Sequence, residues 1–259
     1  MQGSVGYNLA FAAGVCLVCA VVVSSSAVAL GDRQDRNAAL YKQKNVLLAA
    51  GLATDDDALT ADEVAARFAP ITPVVVDLAS GAVVDDVDPA TFDQRAAAID
   101  PTRSRVAPEN LARVARLPTV ALVYEVRDAS DDLEMVVLPV EGLGLWGTLY
   151  GFVAIEGDLR TVRGLTFYEH KETPGLGGEV DNPRWKALWP GRLAFDETLT
   201  PVIAVVKGRA GSVADDPYAV DGLSGATLTS RGVTNLLRFW LGPEGFGPYL
   251  TRLRSTAGM

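Results

Sequence analysis

The 259-residue chain carries 32 acidic and 23 basic side chains, which gives a formal net charge of −9. This length predicts one membrane segment and one domain with a substantial core, rather than two domains of equal size. The acidic balance, without a long basic run, argues against a nucleic-acid partner, and one histidine with two cysteines cannot supply a four-ligand zinc site or a four-cysteine iron–sulfur cluster.

The first predicted element is a membrane-spanning segment. Residues 1–31 contain no charged side chain, and residues 9–30 are apolar or small over a length sufficient to cross a bilayer. A cleaved signal peptide is the alternative, because Ala27-Val28-Ala29 resembles a cleavage site after an apolar core. The length of the run, and the lack of a lysine or arginine before it, favour an uncleaved anchor.

Two helices are predicted after the anchor. Residues 37–52 have the apolar spacing of a helix. Thr60 and Glu63 have the spacing of a capping box, in which each side chain accepts the other residue's backbone N–H. A short helix from there to Phe68 is therefore expected.

The centre of the chain predicts a mostly antiparallel sheet. Its expected strands are runs of β-branched and other apolar residues, separated by turn residues. They cover residues 71–78, 81–84, 119–126, 133–140, 152–156, 162–168 and 202–206. Residues 89–115 give no assignment. The predicted fold is α+β, with a transmembrane helix over residues 1–31 and one domain, a sheet flanked by helices, over residues 32–259.

A small-residue motif, Asp221-Gly222-Leu223-Ser224-Gly225-Ala226-Thr227, precedes a predicted helix. Apolar residues recur three and four positions apart over residues 233–241. Thr227 is therefore expected at or near a helix N-terminus, where free N–H groups and the helix dipole favour phosphate. Gly225 suits a backbone with positive φ. The alternative interpretation is an ordinary helix start with Ser224 as its N-cap.

This motif resembles the sequence that periplasmic flavin transferases recognise when they attach FMN to threonine through a phosphoester. A second block, His170-Lys171-Glu172-Thr173-Pro174-Gly175-Leu176-Gly177, resembles a turn of the FMN-binding domains in the sodium-translocating NADH:quinone reductase and the Rnf complex. Residues 143–147 and 185–191 are more similar to the NqrC family of the sodium pump than to its Rnf counterpart. The similarity covers most of the chain.

The resemblance implies that Thr227 is the acceptor of FMN. In the implied reaction, the transferase uses FAD and a divalent metal, transfers the FMN part to the threonine and releases AMP. Asp221 would be a recognition element for the transferase or a contributor to its metal site. The mature chain would then be an electron carrier with covalent FMN, and the resemblance assigns it no catalytic residue and no metal ligand.

The predicted cofactor-binding residues come from four segments. They are Leu145 and Trp146; Glu172, Thr173, Gly175 and Leu176; Lys207; and Ser224, Gly225, Ala226 and Thr227. By the resemblance, Leu145, Trp146 and Leu176 pack against the flavin ring, and the competing interpretation places Trp146 in the core. Lys207 and Arg231 are expected to compensate the phosphate charge or to serve only solubility. A plain surface turn with a solvated His170 is the alternative for the second block.

The resemblance places the protein in the bacterial inner membrane as a single-pass protein with a periplasmic domain, because the transferase works outside. Arg33, Arg36, Lys42 and Lys44 follow the anchor and favour the opposite orientation by the positive-inside rule. We follow the resemblance. The expected partners are the other subunits of the sodium-pumping complex, the flavin transferase during maturation and membrane lipid.

Alternative functions are the flavin-carrying component of an Rnf complex, an anchored periplasmic binding or structural module without flavin, and a hydrolase. The hydrolase would use Asp221, His170 and Ser224 as a triad, but the serine lacks the flanking glycine spacing of a nucleophile elbow.

Cys16 and Cys19 lie close to one face of the anchor. They are expected to contact lipid or a partner, and a cluster shared with another subunit is the alternative.

Overall fold

The computed structural model describes residues 5–257. Helix α1 extends from Val5 to Ala49 as one 45-residue element, so the predicted anchor and the helix predicted at residues 37–52 are continuous. The anchor and this helix are not separated, because residues 32–49 contain no glycine or proline and are rich in helix-forming side chains. Val5–Gly31 is long and apolar enough to cross a membrane. The first four residues of the predicted anchor lie outside the described residues.

The chain divides into two compact units, Met1–Lys42 and Gln43–Met259, whereas the sequence analysis placed a boundary after residue 31. In the first unit, the large apolar side chains of α1 are exposed. The second unit includes the last turns of α1, where Val46, Leu47 and Ala49 are fully buried. This burial explains why the second unit begins inside the helix.

A five-stranded antiparallel sheet forms the centre of the second unit, in the order β1-β4-β5-β6-β7. The strands of the chain are β1 (Ile71–Asp77), β2 (Ser104–Val106), β3 (Arg116–Pro118), β4 (Val120–Arg127), β5 (Leu133–Leu143), β6 (Thr148–Glu156), β7 (Val162–Glu169), β8 (Ala204–Val205) and β9 (Ala219–Val220). The α+β prediction is confirmed. Strands β5 and β6 are longer than predicted. The predicted runs were too short because Gly142 and Gly151, which lie inside the strands, interrupt the β-rich pattern of the sequence.

Five further α-helices accompany the sheet in the described part of the chain. They are α2 (Ala61–Phe68), α3 (Gln94–Ile99), α4 (Pro183–Lys186), α5 (Thr227–Leu241) and α6 (Gly247–Ala257). The capping box at the start of α2 is confirmed, since the Thr60 and Glu63 side chains each accept the other's backbone N–H. Helix α6 was not predicted.

The two faces of the sheet pack against different helices. Leu236 and Trp240 of α5 are buried in the main core with Val153 of β6. On the opposite face, Gly164 of β7 lies against the carbonyl of Ala49 in the last turn of α1, so closely that a Cβ atom would overlap it. The absence of a side chain at Gly164 therefore permits this helix–sheet contact.

Two further predicted strand regions can be compared with the structure, the segment after β1 and the region of the short strands β8 and β9. The runs predicted as strands at residues 71–78 and 81–84 are joined by an antiparallel bridge between Val76 and Val83, and Gly81 has φ +68° in the turn between them. The predicted strand at residues 202–206 contains β8, which pairs in parallel with β9. This unpredicted pairing brings the loop after β8 beside the loop after β9, where the motif begins.

An ion pair joins α3 to the end of β7, and it predicts a small dependence of stability on pH. Nη1 of Arg95 lies 2.6 Å from Oε2 of Glu169, and this hydrogen bond lowers the pKa of the carboxyl group. A lowered folded-state pKa stabilises the fold above the unfolded-state value, and the contribution is lost as pH falls through the folded-state pKa. The two side chains are 45% and 51% exposed, so solvent screens the pair.

We therefore expect Glu169→Gln to cost under about 1 kcal/mol of unfolding free energy at neutral pH. The cost should disappear well below the ordinary glutamate pKa of about 4.3, where the wild-type carboxyl group is protonated. Urea denaturation of the two proteins at both pH values measures the difference. An equal loss of stability at neutral and acidic pH would contradict the assignment.

Candidate functional site

Thr227 is the first residue of α5 and is exposed. The N-cap position is occupied by Ala226, which is buried and has no capping side chain, so no side-chain cap covers this helix end. The alternative interpretation of Ser224 as the N-cap is wrong, because it is exposed two residues before the cap position. Gly225 has φ +70°, which confirms the predicted conformation and directs the chain into the helix.

The second threonine of this helix turn, Thr229, has a different environment. It is 0% exposed, and its hydroxyl donates a hydrogen bond of 2.5 Å to Oε2 of Glu172. Residues two positions apart in a helix point about 200° apart, which is why one hydroxyl meets solvent and the other meets the interior. Thr227 is therefore the accessible hydroxyl of the pair.

A pocket of about 680 Å³ borders Thr227, between the loops that follow β8 and β9. Three exposed cations line it: Lys207, Arg209 and Arg231. None of the three forms an ion pair with another residue in the 5–257 range. Asp221 also lines the pocket and offsets part of this charge, so the lining has an excess of positive charge, which favours an anion such as phosphate.

Arg209 was missed by the sequence analysis. The pairing of β8 with β9 brings it to the pocket, and two-residue strands leave little trace in a sequence. Its position two residues after Lys207, in a glycine-containing loop, was the available signal.

Asp221 helps to join the two walls of the pocket. Its Oδ1 accepts a hydrogen bond of 2.8 Å from the N–H of Ala210, and its carbonyl accepts one of 2.8 Å from Nε1 of Trp185. Next to it, the N–H of Gly222 donates to the carbonyl of Gly208 at 2.7 Å. A carboxylate at Asp221 thus has a structural function in the chain itself, in addition to the recognition function that the resemblance implies.

The loop between β5 and β6 presents apolar side chains to solvent. Trp146 is 66% exposed, so the interpretation that places it in the core is wrong. Leu145 and Leu176 are also exposed, and Cδ2 of Leu176 lies 2.9 Å from the position that a Cβ atom would occupy on Gly225. Leu176 therefore lies beside the motif that ends at Thr227. Exposed large apolar side chains of this kind mark a binding surface.

The predicted loop from His170 forms a compact turn. Gly175 has φ +76°, and the carbonyl of the exposed Thr173 accepts hydrogen bonds from the N–H groups of Leu176 (3.1 Å) and Gly178 (2.9 Å). The tight turn predicted for this block is present, and it places Leu176 on the surface.

His170 is held by protein groups, so the alternative of a merely solvated histidine is wrong. Its Nε2 lies 2.7 Å from Oδ2 of Asp181, and its Nδ1 accepts the N–H of Glu172 at 3.1 Å. Both ring nitrogens are therefore occupied, and the side chain of Asp221 binds elsewhere. The hydrolase triad with Ser224 does not form.

Glu172 was predicted to contact the cofactor, but its carboxylate points into the protein. It is 5% exposed, and its Oε1 accepts the backbone N–H groups of Leu145 and Trp146, each at 2.9 Å. Its Oε2 accepts the hydroxyl of Thr229. One buried carboxylate therefore connects the β5–β6 loop, the loop after β7 and the first turn of α5.

Two separate sets of residues fit the two parts of a flavin phosphate, and Leu145, Trp146 and Leu176 are not among the residues that line the cationic pocket. The cationic pocket suits the phosphate beside Thr227, and the exposed Leu145, Trp146 and Leu176 suit a flat apolar ring.

NqrC of the Na(+)-translocating NADH-quinone reductase from Yersinia pestis is 47% identical over 257 residues, which cover 98% of this chain and 95% of that protein. The chain belongs to the NqrC family of this reductase. The NqrC protein of Pseudomonas aeruginosa is also 47% identical over 257 residues, with 98% and 97% coverage. The prediction of the NqrC family rather than the Rnf counterpart is confirmed, and the chain is a component of an oxidoreductase complex with other subunits.

The FMN-binding domain family model matches residues 144–242, which contain every predicted site residue. The crystal structure of Shewanella oneidensis NqrC has a TM-score of 0.76 at 37% identity, and the match covers 86% of this chain and 99% of that one. The corresponding protein from Parabacteroides distasonis has a TM-score of 0.65 at 25% identity, with 86% and 97% coverage. The NqrC family thus shares this α+β fold and its FMN-binding domain.

Proposed function

We propose that this chain is the membrane-anchored electron carrier of the sodium-pumping NADH:quinone reductase, with FMN attached to Thr227 through a phosphoester. The observation that carries the proposal is the contrast between two threonines of one helix turn. Thr227 is exposed in a pocket lined by three cations and one carboxylate residue, whereas Thr229 is buried and hydrogen-bonded. FMN supplies the reversible uptake and release of electrons, and the protein supplies its position and electrostatics.

Attachment requires a transferase, because a threonine hydroxyl is a weak nucleophile without a base. Oγ1 of Thr227 attacks the flavin-side phosphorus of FAD, the bond from that phosphorus to the bridging oxygen breaks, and AMP leaves with that oxygen. The hydroxyl proton passes to a base of the transferase. The exposed position of Thr227 lets it enter another enzyme's active site, and Asp221 is the proposed recognition residue.

The chain's own residues then hold the attached group. Lys207, Arg209 and Arg231 offset the phosphate charge, which the net charge of −9 otherwise repels. Leu145, Trp146 and Leu176 offer apolar surface to the ring system and keep water from it. The small residues Ser224, Gly225 and Ala226 leave room for the phosphate next to the helix end. Thr173 and Gly175 shape the loop that presents Leu176.

We further propose that Val5–Gly31 anchors the chain in the bacterial inner membrane and that the second unit is periplasmic. A protein fused to its C-terminus tests the orientation. Alkaline phosphatase, which is active only outside the cytoplasm, should be active in this fusion. An inactive phosphatase together with an active cytoplasmic reporter at the same position would reverse the orientation.

Peptide mass spectrometry tests the attachment site. In protein produced together with the flavin transferase, we expect the peptide that contains residues 221–230 to carry the mass of FMN less one water, and fragmentation to place it on Thr227. Peptides from the 170–177 block provide an unmodified control. An unmodified 221–230 peptide, or FMN on Thr229, would contradict the proposal.

A further inference from the structure

The buried carboxylate of Glu172 lies at the meeting point of three chain segments, and FMN attachment as proposed does not use it. It accepts three hydrogen bonds, from the N–H groups of Leu145 and Trp146 and from the hydroxyl of Thr229. We call this set of four residues the Glu172 network. Since an isolated buried carboxylate is costly, these three donors are what make its burial tolerable.

Glycine residues allow the backbone to approach the carboxylate closely. A Cβ atom on Gly144 would lie 2.5 Å from Oε1 of Glu172, and one on Gly177 would lie 2.5 Å from Oε2. A Cβ atom on Gly232 of α5 would lie 2.5 Å from the carbonyl of Leu143, at the start of the same loop. The β5–β6 loop is therefore packed directly on the carboxylate and on α5.

The backbone of Glu172 is fixed as well as its side chain. Its N–H donates to Nδ1 of His170, and Nε2 of that ring lies 2.7 Å from Asp181. The backbone of Glu172 is thus fixed by His170, and its carboxylate reaches α5 and the β5–β6 loop.

We infer that Glu172 and Thr229 are positioning residues, which hold the backbone of Leu145 and Trp146 at a fixed distance from Thr227 before any flavin is attached. Thr229 is two residues from Thr227 in the same helical turn, and Glu172 connects that turn to the loop that carries Trp146. The attachment residue and the apolar surface are therefore one rigid assembly. Its use in holding a flavin rests on the proposed function, whereas the hydrogen bonds that form it do not.

Amide hydrogen exchange on the full chain in detergent tests the inference without flavin. Thr229→Val removes the hydroxyl donor, and we expect the amides of Leu145 and Trp146 to exchange at least ~10-fold faster, as for the loss of a hydrogen bond to a charged group. Thr229→Ser keeps the hydroxyl and should restore the slow exchange. Leu228→Ala changes an exposed side chain in the same helical turn and should leave it unchanged.

Glu172→Leu provides a second variant, because it removes the acceptor without burying an unpaired charge. It should also accelerate the amides of Leu145 and Trp146, while the amide of Val153 in β6 stays slow. Unchanged exchange at the loop in both variants, or a failure of Thr229→Ser to restore it, would overturn the inference. Faster exchange that extends to Val153 would likewise overturn it, because the role would then be general stability.

The same proteins, treated with transferase and FAD, separate this inference from the proposed function. If amide exchange in the β5–β6 loop is slow and depends on Thr229, but no FMN is found on Thr227, only the proposed function is contradicted. If FMN is found on Thr227 but the Thr229 variants do not change amide exchange in the β5–β6 loop, only the positioning role is contradicted.

Discussion

We expect Thr227→Ala to abolish the proposed covalent attachment of FMN and to reduce electron transfer through the protein to background. Alanine keeps the helix start and removes the atom that bonds to phosphorus. The buried Thr229 cannot substitute for it, since its hydroxyl is inaccessible and donates to Glu172. A denaturing gel viewed under ultraviolet light measures the attachment, because only covalent flavin remains on the chain, and quinone reduction by the purified complex measures the electron transfer.

Two further variants make this result specific. Ser224→Ala changes the other exposed hydroxyl of the motif and should keep full fluorescence. Thr227→Ser restores a hydroxyl at the same position and should recover flavin in part. Fluorescence that persists on the Thr227→Ala chain at the wild-type level would refute the attachment site.

The second large effect concerns the contact between α1 and the sheet. Gly164→Val places a branched side chain where the carbonyl of Ala49 lies, so the last turn of α1 must move away from β7. The neighbouring Val46 and Leu47, which are fully buried, then lose part of their packing. We expect a loss of about 2–4 kcal/mol in unfolding free energy, from overpacking together with lost burial.

Urea denaturation in detergent measures this loss, with Arg163→Val as the matched control. Arg163 is the preceding residue of the same strand and is exposed, so valine there adds β-branched character without a collision and removes an exposed ion pair with Glu156, worth under about 1 kcal/mol. A Gly164→Val protein as stable as the control would show that the contact between β7 and Ala49 contributes little.

Local patterns predicted the long strands of the main sheet and helix α5, but not the short strands β2, β3 and β9 or the helices α3, α4 and α6. The β-rich runs identified β1, β4 and β7, since side-chain composition and turn residues are local properties. The apolar spacing after Thr227 likewise identified α5, and the glycine before Ala226 was correctly assigned a positive φ.

Contacts between distant parts of the chain were not predictable in this way. Glu172 meets Leu145, Trp146 and Thr229 across 27, 26 and 57 positions of sequence, so no local pattern reveals that its carboxylate is buried. It was predicted as a cofactor contact on the family resemblance alone. The place of Arg209 in the pocket likewise depends on a strand pairing of two residues.

The end of the predicted membrane segment shows a second limit of prediction from local sequence patterns. The first charged residues mark where an apolar environment ends, but they do not end a helix. Hydropathy therefore identified the part of the helix that is apolar enough to cross a membrane, and helix propensity, which continues to Ala49, determined the length of the helix.

The glycines around Glu172 have a consequence for how this protein can evolve. A side chain at position 144 or 177 would displace the carboxylate of Glu172 from its present place, and the glycines without the glutamate leave the N–H groups of Leu145 and Trp146 without their acceptor. Single substitutions at any of the three positions are therefore harmful, whichever comes first. We expect these positions to be inherited as a block, so that lineages differ by the whole arrangement rather than by intermediate forms.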